Sequence, residues 1–499
     1  MAGRRAVSRG DVTFPDMKWQ SPVFVVLTGV LTGFAVFSDY ASFFPESDLP
    51  PPAHVLHLRN LLDEYQDDNS KLRISVLLTP GDRLIISSLD QKTRLHEVVV
   101  SRQTPEYQTR DDIVGPFGSG VDFARVPSSR RDLVRPCDQD SGIGTCSGTR
   151  IMCVADRLPA VQRAQVFEVP RSERRFLLPR FTVKSSTSSD YSERIVVCQE
   201  TAATDTVRLY TAELTLPARI STRLLGMFEE TVIPAVMEQV GTLADVDRDN
   251  HLSVVVCELS DGLIHTENPL WGCVRAADFL STGPFCGDII YLDRRLLHSD
   301  ALPAVIMHEL THAAVFSAEH RLQCEGHQVQ RLSGWLNEAI AHSCEYRVYP
   351  TSPNLADRIS GYVCQSGFWP LIFPPSSVSA VSSRGPMRAA GLFYVEFIRQ
   401  TETLPEFIER ELLMAGSRPK QKADAFAELF RQWTVWMSER QQYGEIPLNI
   451  GELPREERAN EFVVRGTAAT WWEARHAGEF MIQAGRDSAL QVTVINPQN

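Results

Sequence analysis

The stretch AVIMHELTHAAVF, residues 304–316, constrains the fold of this chain more than any other. His308 and His312 stand four residues apart, a spacing that brings two side chains to one face of an α-helix. One metal ion can take both imidazoles if 304–316 is helical, and the local residues agree. Asp300 can cap such a helix, Pro303 fits its first turn, and Ala304, Ile306 and Met307 are compatible with its body. Glu309 then points beside the pair, where it can act on a metal-held water instead of binding the metal. Zinc suits this arrangement because it accepts nitrogen and oxygen ligands, leaves one position open and acidifies its water.

With 12 histidines in the chain, two of them do not make a site. A third ligand decides the matter. SGWLNEAIAHSCEYR, residues 333–347, reads as a second helix capped by Ser333, with Glu338 one turn in. Glu338 sits among Trp335, Leu336, Ala339, Ile340 and Ala341, poor company for a free carboxylate. Brought alongside the first helix, it completes a His₂Glu zinc set of His308, His312 and Glu338.

HELTH followed by GxxNExxA (Gly334, Asn337, Glu338, Ala341) resembles the signature of the glutamate-zincins, the thermolysin-like superfamily, and within it the hyicolysin family of neutral zinc metallopeptidases. The likeness runs from about Val207 to Trp436 and takes in LYTAELTLPARISTRLLGMFEETVIPAV, ADVDRDNHLSVVV and GLFYVEFI. It implies a gluzincin-type catalytic domain, with a small β part and a helical part, acting on a peptide or protein substrate. Glu309 would be its general base and proton shuttle. The resemblance also implies an added donor for the oxyanion, for which Tyr394 is the first choice, Tyr362 the second and His342 the third. Members of that superfamily carry an Asp four residues after the ligand Glu to support the first histidine. This chain has His342 there, and Glu345 is the available substitute.

DVDRDN, residues 245–250, sets Asp245, Asp247 and Asp249 at alternate positions like the first half of a calcium loop. Val256 stands where the closing acid would fall, so an aspartate-rich turn before a strand is the competing reading of a Ca²⁺ site. His320 and His327, with Glu319 and Glu325, read as a solvated loop between the metal helices, and Trp471–Trp472 as packing of a β module.

Around these motifs the pattern is α+β. A basic start (Arg4, Arg5, Arg9, Lys18) precedes the apolar run Val23–Phe37. At about 1.5 Å per residue that run reaches roughly 22 Å, short of a bilayer core of about 30 Å. Residues 1–38 are therefore expected to be a signal peptide or signal anchor, the chain's one membrane link. A proline-rich linker (39–54), a β-rich N-terminal domain (55–205), the zinc metallopeptidase domain (206–445) and a small β-rich C-terminal module (446–499) follow. Residues 55–66 read as a short helix, and 74–87 as a hairpin around the TPGD turn. Export makes the rest extracytoplasmic and the 10 cysteines a disulfide framework, with Cys137–Cys146 and Cys273–Cys286 as the expected short loops. A net charge of −12 argues against nonspecific binding to nucleic acid. Function is thus expected to be zinc-dependent endopeptidase activity. The alternatives are an extracytoplasmic binding protein with a structural zinc, or another zinc hydrolase.

Overall fold

The computed structural model describes residues 55–58, 71–89, 95–103, 173–185, 188–212, 215–259, 271–280, 283, 285–372, 385–414, 419–442, 444–453, 460–465, 467–485 and 490–495. The expected export segment and linker, and Cys137, Cys146 and Cys153, lie outside the described residues. The chain is α+β. Among the described residues no helix is long and apolar enough to cross a membrane.

Four strands open the described chain: β1 (Val55–Leu58), β2 (Lys71–Leu78), β3 (Arg83–Ser88) and β4 (Leu95–Gln103). Six more, β5 (Glu173–Ser185), β6 (Ser188–Ala203), β7 (Val207–Thr211), β8 (Leu252–Cys257), β9 (Gly272–Cys273) and β10 (Ile289–Asp293), build one sheet in the order β5-β6-β7-β8-β10-β9. Helices α1 (Ala218–Met227) and α2 (Ile233–Gln239) precede β8, and the short α3 (Ala276–Leu280) follows β9. Then come α4 (Leu302–Cys324), α5 (Gly334–Val348), α6 (Pro353–Cys364), α7 (Gly385–Ile398), α8 (Leu404–Leu413) and α9 (Pro419–Gln442). Five strands close the chain: β11 (Gly451–Glu452), β12 (Asn460–Arg465), β13 (Ala469–Glu473), β14 (Gly478–Gly485) and β15 (Leu490–Ile495).

The first and last strands interleave. One sheet runs β1-β15-β3-β13-β11 and the other β12-β4-β14-β2. Ile74, Val76, Val98, Val100, Phe480 and Ile482 of one sheet meet Leu84, Ile86, Val492 and Val494 of the other in a common core. Strand pairing therefore cuts across the boundaries expected at 205/206 and 445/446. Residues 55–103 share sheets with 451–495, and 173–203 extend the sheet of the helical part. Two local expectations are corrected. Residues 55–58 form a strand paired with β15, not the start of a helix. TPGD joins β2 to β3 but makes no hairpin, because β2 pairs with β14 while β3 pairs with β13 and β15. β2 buries Ile74, Val76 and Leu78 alternately, whereas β3 is buried at every position, so each fits a different place in the sandwich.

In the large sheet, β7, β8 and β10 are mutually parallel and β8 and β10 are buried throughout. β9 lies antiparallel on the edge beside β10. α4 packs against β9 and β10 on one side and α5 on the other, which explains why it is apolar nearly all round. α5 in turn packs on α7, where Gly391 permits close approach. A Cβ there would stand 2.8 Å from the Cβ of Ala339.

One expected disulfide is corrected as well, while the Cys137–Cys146 pair lies outside the described residues. Cys198, Cys257, Cys273, Cys286, Cys344 and Cys364 are free thiols, so Cys273–Cys286 is not a bridge. Cys198 and Cys257 fill the apolar face of the sheet, and the Cys286 thiol donates to the Ala277 carbonyl at 3.8 Å.

Candidate metal centre

α4 supplies His308 and His312, and α5 supplies Glu338. His308 Nε2 and His312 Nε2 are 3.2 Å apart, and Glu338 Oε2 and Oε1 stand 3.6 Å and 3.9 Å from them respectively. Donors held about 2.0–2.1 Å from one tetrahedral ion would be separated by roughly 3.3 Å, so the two imidazole nitrogens match that spacing and the carboxylate oxygens lie a few tenths of an ångström beyond it. Glu338 Oε2 is also buried, with the Arg388 guanidinium Nη1 3.2 Å away as an ion pair. A buried carboxylate oxygen needs a positive partner of this kind.

The surrounding groups prepare the two imidazoles. Asn337 Oδ1 lies 3.0 Å from His312 Nδ1, so the ring's proton sits there and Nε2 keeps its lone pair for a metal. Burial, then the charge of His308, pushes His312 down to about 4, leaving it neutral. Glu345 Oε2 stands 3.4 Å from His308 Nδ1, a charge contact longer than a formed hydrogen bond, and 2.9 Å from His342 Nδ1. Arg358 Nη1 donates to His342 Nε2 at 2.7 Å, which fixes His342 as the tautomer that donates to Glu345. A chain from α6 through α5 to α4 thus steers the first histidine. Glu345 lies in charge contact with His308 Nδ1, with His342 hydrogen-bonded to it.

The charges around these donors shift one another strongly. Burial alone would push His308 down, but the carboxylates of Glu338 and Glu345 outweigh it and hold the imidazole up at about 9. Burial also acts against ionised Glu338 and Glu345. The Arg388 guanidinium outweighs it at Glu338, and the imidazoles of His308 and His342 outweigh it at Glu345, so both carboxyls lie below the usual range. Burial, followed by the charge of Arg388, lowers Arg358 to about 10.

Glu309 is 8% exposed, and burial pushes its carboxyl up to about 7. It stands beside the donor triad and outside it. The edge strand comes close to it. A Cβ on Gly272 would meet Glu309 Cγ at 2.6 Å and its Cδ and Oε1 at 2.9 Å. Glycine at 272 is what lets the β9 backbone lie against this carboxylate.

The remaining expected site residues are placed as follows. Tyr394 packs in an aromatic cluster, with ring centroids 5.8 Å from Trp335 and 6.2 Å from Trp433. Among the described residues no contact joins it to His308, His312 or Glu338, so the expected oxyanion role for Tyr394 is corrected to packing. Tyr362 is buried against Phe393 with its hydroxyl unpartnered. Asp245 and Asp247 do meet an acid, but it is Asp288, the residue before β10, and not Asp249. Asp249 turns to Arg208 at 3.0 Å and accepts from the His251 backbone N–H, while Arg174 takes Asp247. Asp245 accepts from the backbone N–H groups of Asp249 and Asn250. The supposed loop around Glu319 and His320 is helix: α4 runs on to Cys324 and buries both, with His320 Nδ1 3.0 Å from the Phe279 carbonyl. Trp471 is fully buried and donates to the Thr434 carbonyl at 3.0 Å.

Arg358, Arg388 and Gly272 are the site residues that sequence reasoning did not find. Nothing in PMRAAG or in DRISGY marks an arginine that folding will carry to the metal helices. No model of a known protein family matches the chain, and a comparison with curated proteins finds no match.

Proposed function

We propose that this chain is a zinc-dependent endopeptidase with a gluzincin-type arrangement of its helical part. The observation that carries the reading is the separation of roles. Three donors gather within 4.8 Å, while a buried carboxylate, Glu309, stands next to them and outside the set. A site kept only to hold metal has no use for such a base, which weighs against a binding protein with a structural zinc.

Zinc, when held by His308, His312 and Glu338, supplies Lewis-acid polarisation of a peptide carbonyl and acidifies water. The chain's own groups do the rest. Glu309, raised towards neutrality by burial, takes a proton from the attacking water and returns it to the departing amine. Asn337 and Glu345 keep each imidazole in the tautomer that offers Nε2. Gly272 leaves the edge-strand backbone close to Glu309, so that a substrate beside β9 has its scissile bond within reach.

The test is to profile the purified chain, loaded with zinc, against a diverse peptide library. Cleavage that disappears on chelation and returns with zinc is expected; no cleavage of any peptide by fully loaded protein would overturn the reading. We further propose that the chain is exported, a reading that rests on the run at 23–37 alone, since the described thiols named above are unbridged. A C-terminal reporter active only in the cytoplasm would contradict it.

A further inference from the structure

Arg388 lies in the first turn of α7, and its Nη1 is 3.2 Å from Oε2 of the ligand Glu338. Its Nε is buried without a hydrogen-bond partner, although the side chain as a whole is 27% exposed and so open to an incoming molecule. An arginine has five N–H donors in a rigid fork, and only the contact to Glu338 is accounted for by this ion pair. Its charge reaches Glu309, His312 and Arg358 as well as Glu338. Peptide hydrolysis puts negative charge on the substrate carbonyl oxygen. Water oxygen adds to the carbonyl carbon, the carbonyl π pair moves to oxygen, the water proton goes to Glu309, and the charge lasts until the C–N bond breaks and the amine takes the proton.

We propose that Arg388 is the cationic donor that grips the substrate carbonyl oxygen as it gains this charge, the role expected of Tyr394. The assignment rests on the peptidase reading of the site. It requires that Arg388 touch substrate in addition to steadying Glu338.

The test uses the zinc-loaded full chain, its Arg388→Gln and Arg388→Lys variants, and inorganic phosphate as a tetrahedral anion probe. Zinc content should stay at the parent level in both variants. Phosphate affinity, measured by calorimetry, should fall at least about tenfold in Arg388→Gln, as expected for losing a charged hydrogen bond. Arg388→Lys, which keeps the charge, should recover part of that loss. On a peptide that the parent cleaves, kcat of Arg388→Gln should fall about 10²-fold with KM within about twofold, the signature of a contact made in the transition state. Unchanged phosphate affinity in Arg388→Gln would overturn the proposal. So would zinc loss in proportion to activity, which would make Arg388 a support for Glu338 only. If the parent cleaves no peptide, the peptidase reading fails, and phosphate binding still decides whether Arg388 grips an anion.

Discussion

Replacing Gly272 by alanine tests the relation between the edge strand and the base without touching a metal ligand. Gly272 is not among the glycines with positive φ, so the backbone accepts alanine and the effect is steric. The added Cβ would lie 2.6 Å from Glu309 Cγ, where carbon atoms normally rest about 3.5–4.0 Å apart, so Glu309 or the strand must yield by about 1 Å. β9 is tied to β10 through the Leu292–Gly272 and Tyr291–Cys273 pairs, and the carboxylate is the softer partner. A displacement of about 1 Å in a reacting group costs about 10²-fold in rate, while overpacking costs about 1–3 kcal/mol of stability. Zinc content should stay at one equivalent, because the clash falls on Glu309 and not on His308, His312 or Glu338. Gly226→Ala, whose Cβ would meet nothing closer than 4.0 Å, serves as control. The assay is peptide cleavage beside metal analysis on both variants. If Gly272→Ala cleaved within about twofold of the parent, the close packing of β9 on Glu309 would have no part in catalysis.

Two further outcomes are expected. Glu345→Gln removes the charge that steers His308 Nδ1 and should weaken zinc binding by about 10–100-fold in competition with a chelator; parental affinity would show that the Arg358–His342–Glu345 chain is not a metal support. Asp278, buried and accepting from the Tyr291 hydroxyl at 3.0 Å, is pushed up to about 7 by burial, so between about pH 4 and pH 7 the folded chain keeps a proton that the unfolded chain has lost. Stability should therefore fall as pH rises through that window, by up to about 1.4 kcal/mol per unit, and Asp278→Asn should flatten this slope in denaturant titrations; equal slopes in parent and variant would contradict it.

The candidate metal donors are legible because their chemistry is local. The four-residue spacing of His308 and His312 specifies a helix, and the apolar neighbours of Glu338 announce a buried charge that needs a cation. Glu345 could be named for the same reason, being on the helix of Glu338. What escaped the sequence depends on chain segments far apart. Arg388 reaches Glu338 from a helix 50 residues further on, and Asp288 joins Asp245 and Asp247 through the β8–β10 pairing. The TPGD turn looked like a hairpin because two strand-like runs flank it, yet their partners lie in the last part of the chain. Tyr394 lost its expected role to packing, since an aromatic on α7 has Trp335, Phe397, Phe426 and Trp433 within stacking distance.

The central claim is that this chain holds its metal with one set of side chains and moves protons with another. Glu309→Gln separates the two, because the amide keeps the size and a hydrogen bond but takes no proton near neutral pH. Metal analysis and a peptide cleavage assay on the same preparation are the measurement. The account predicts a zinc content near one per chain, as in the parent, with hydrolysis reduced by at least about 10²-fold. Cleavage at the parental rate by zinc-loaded Glu309→Gln would contradict it.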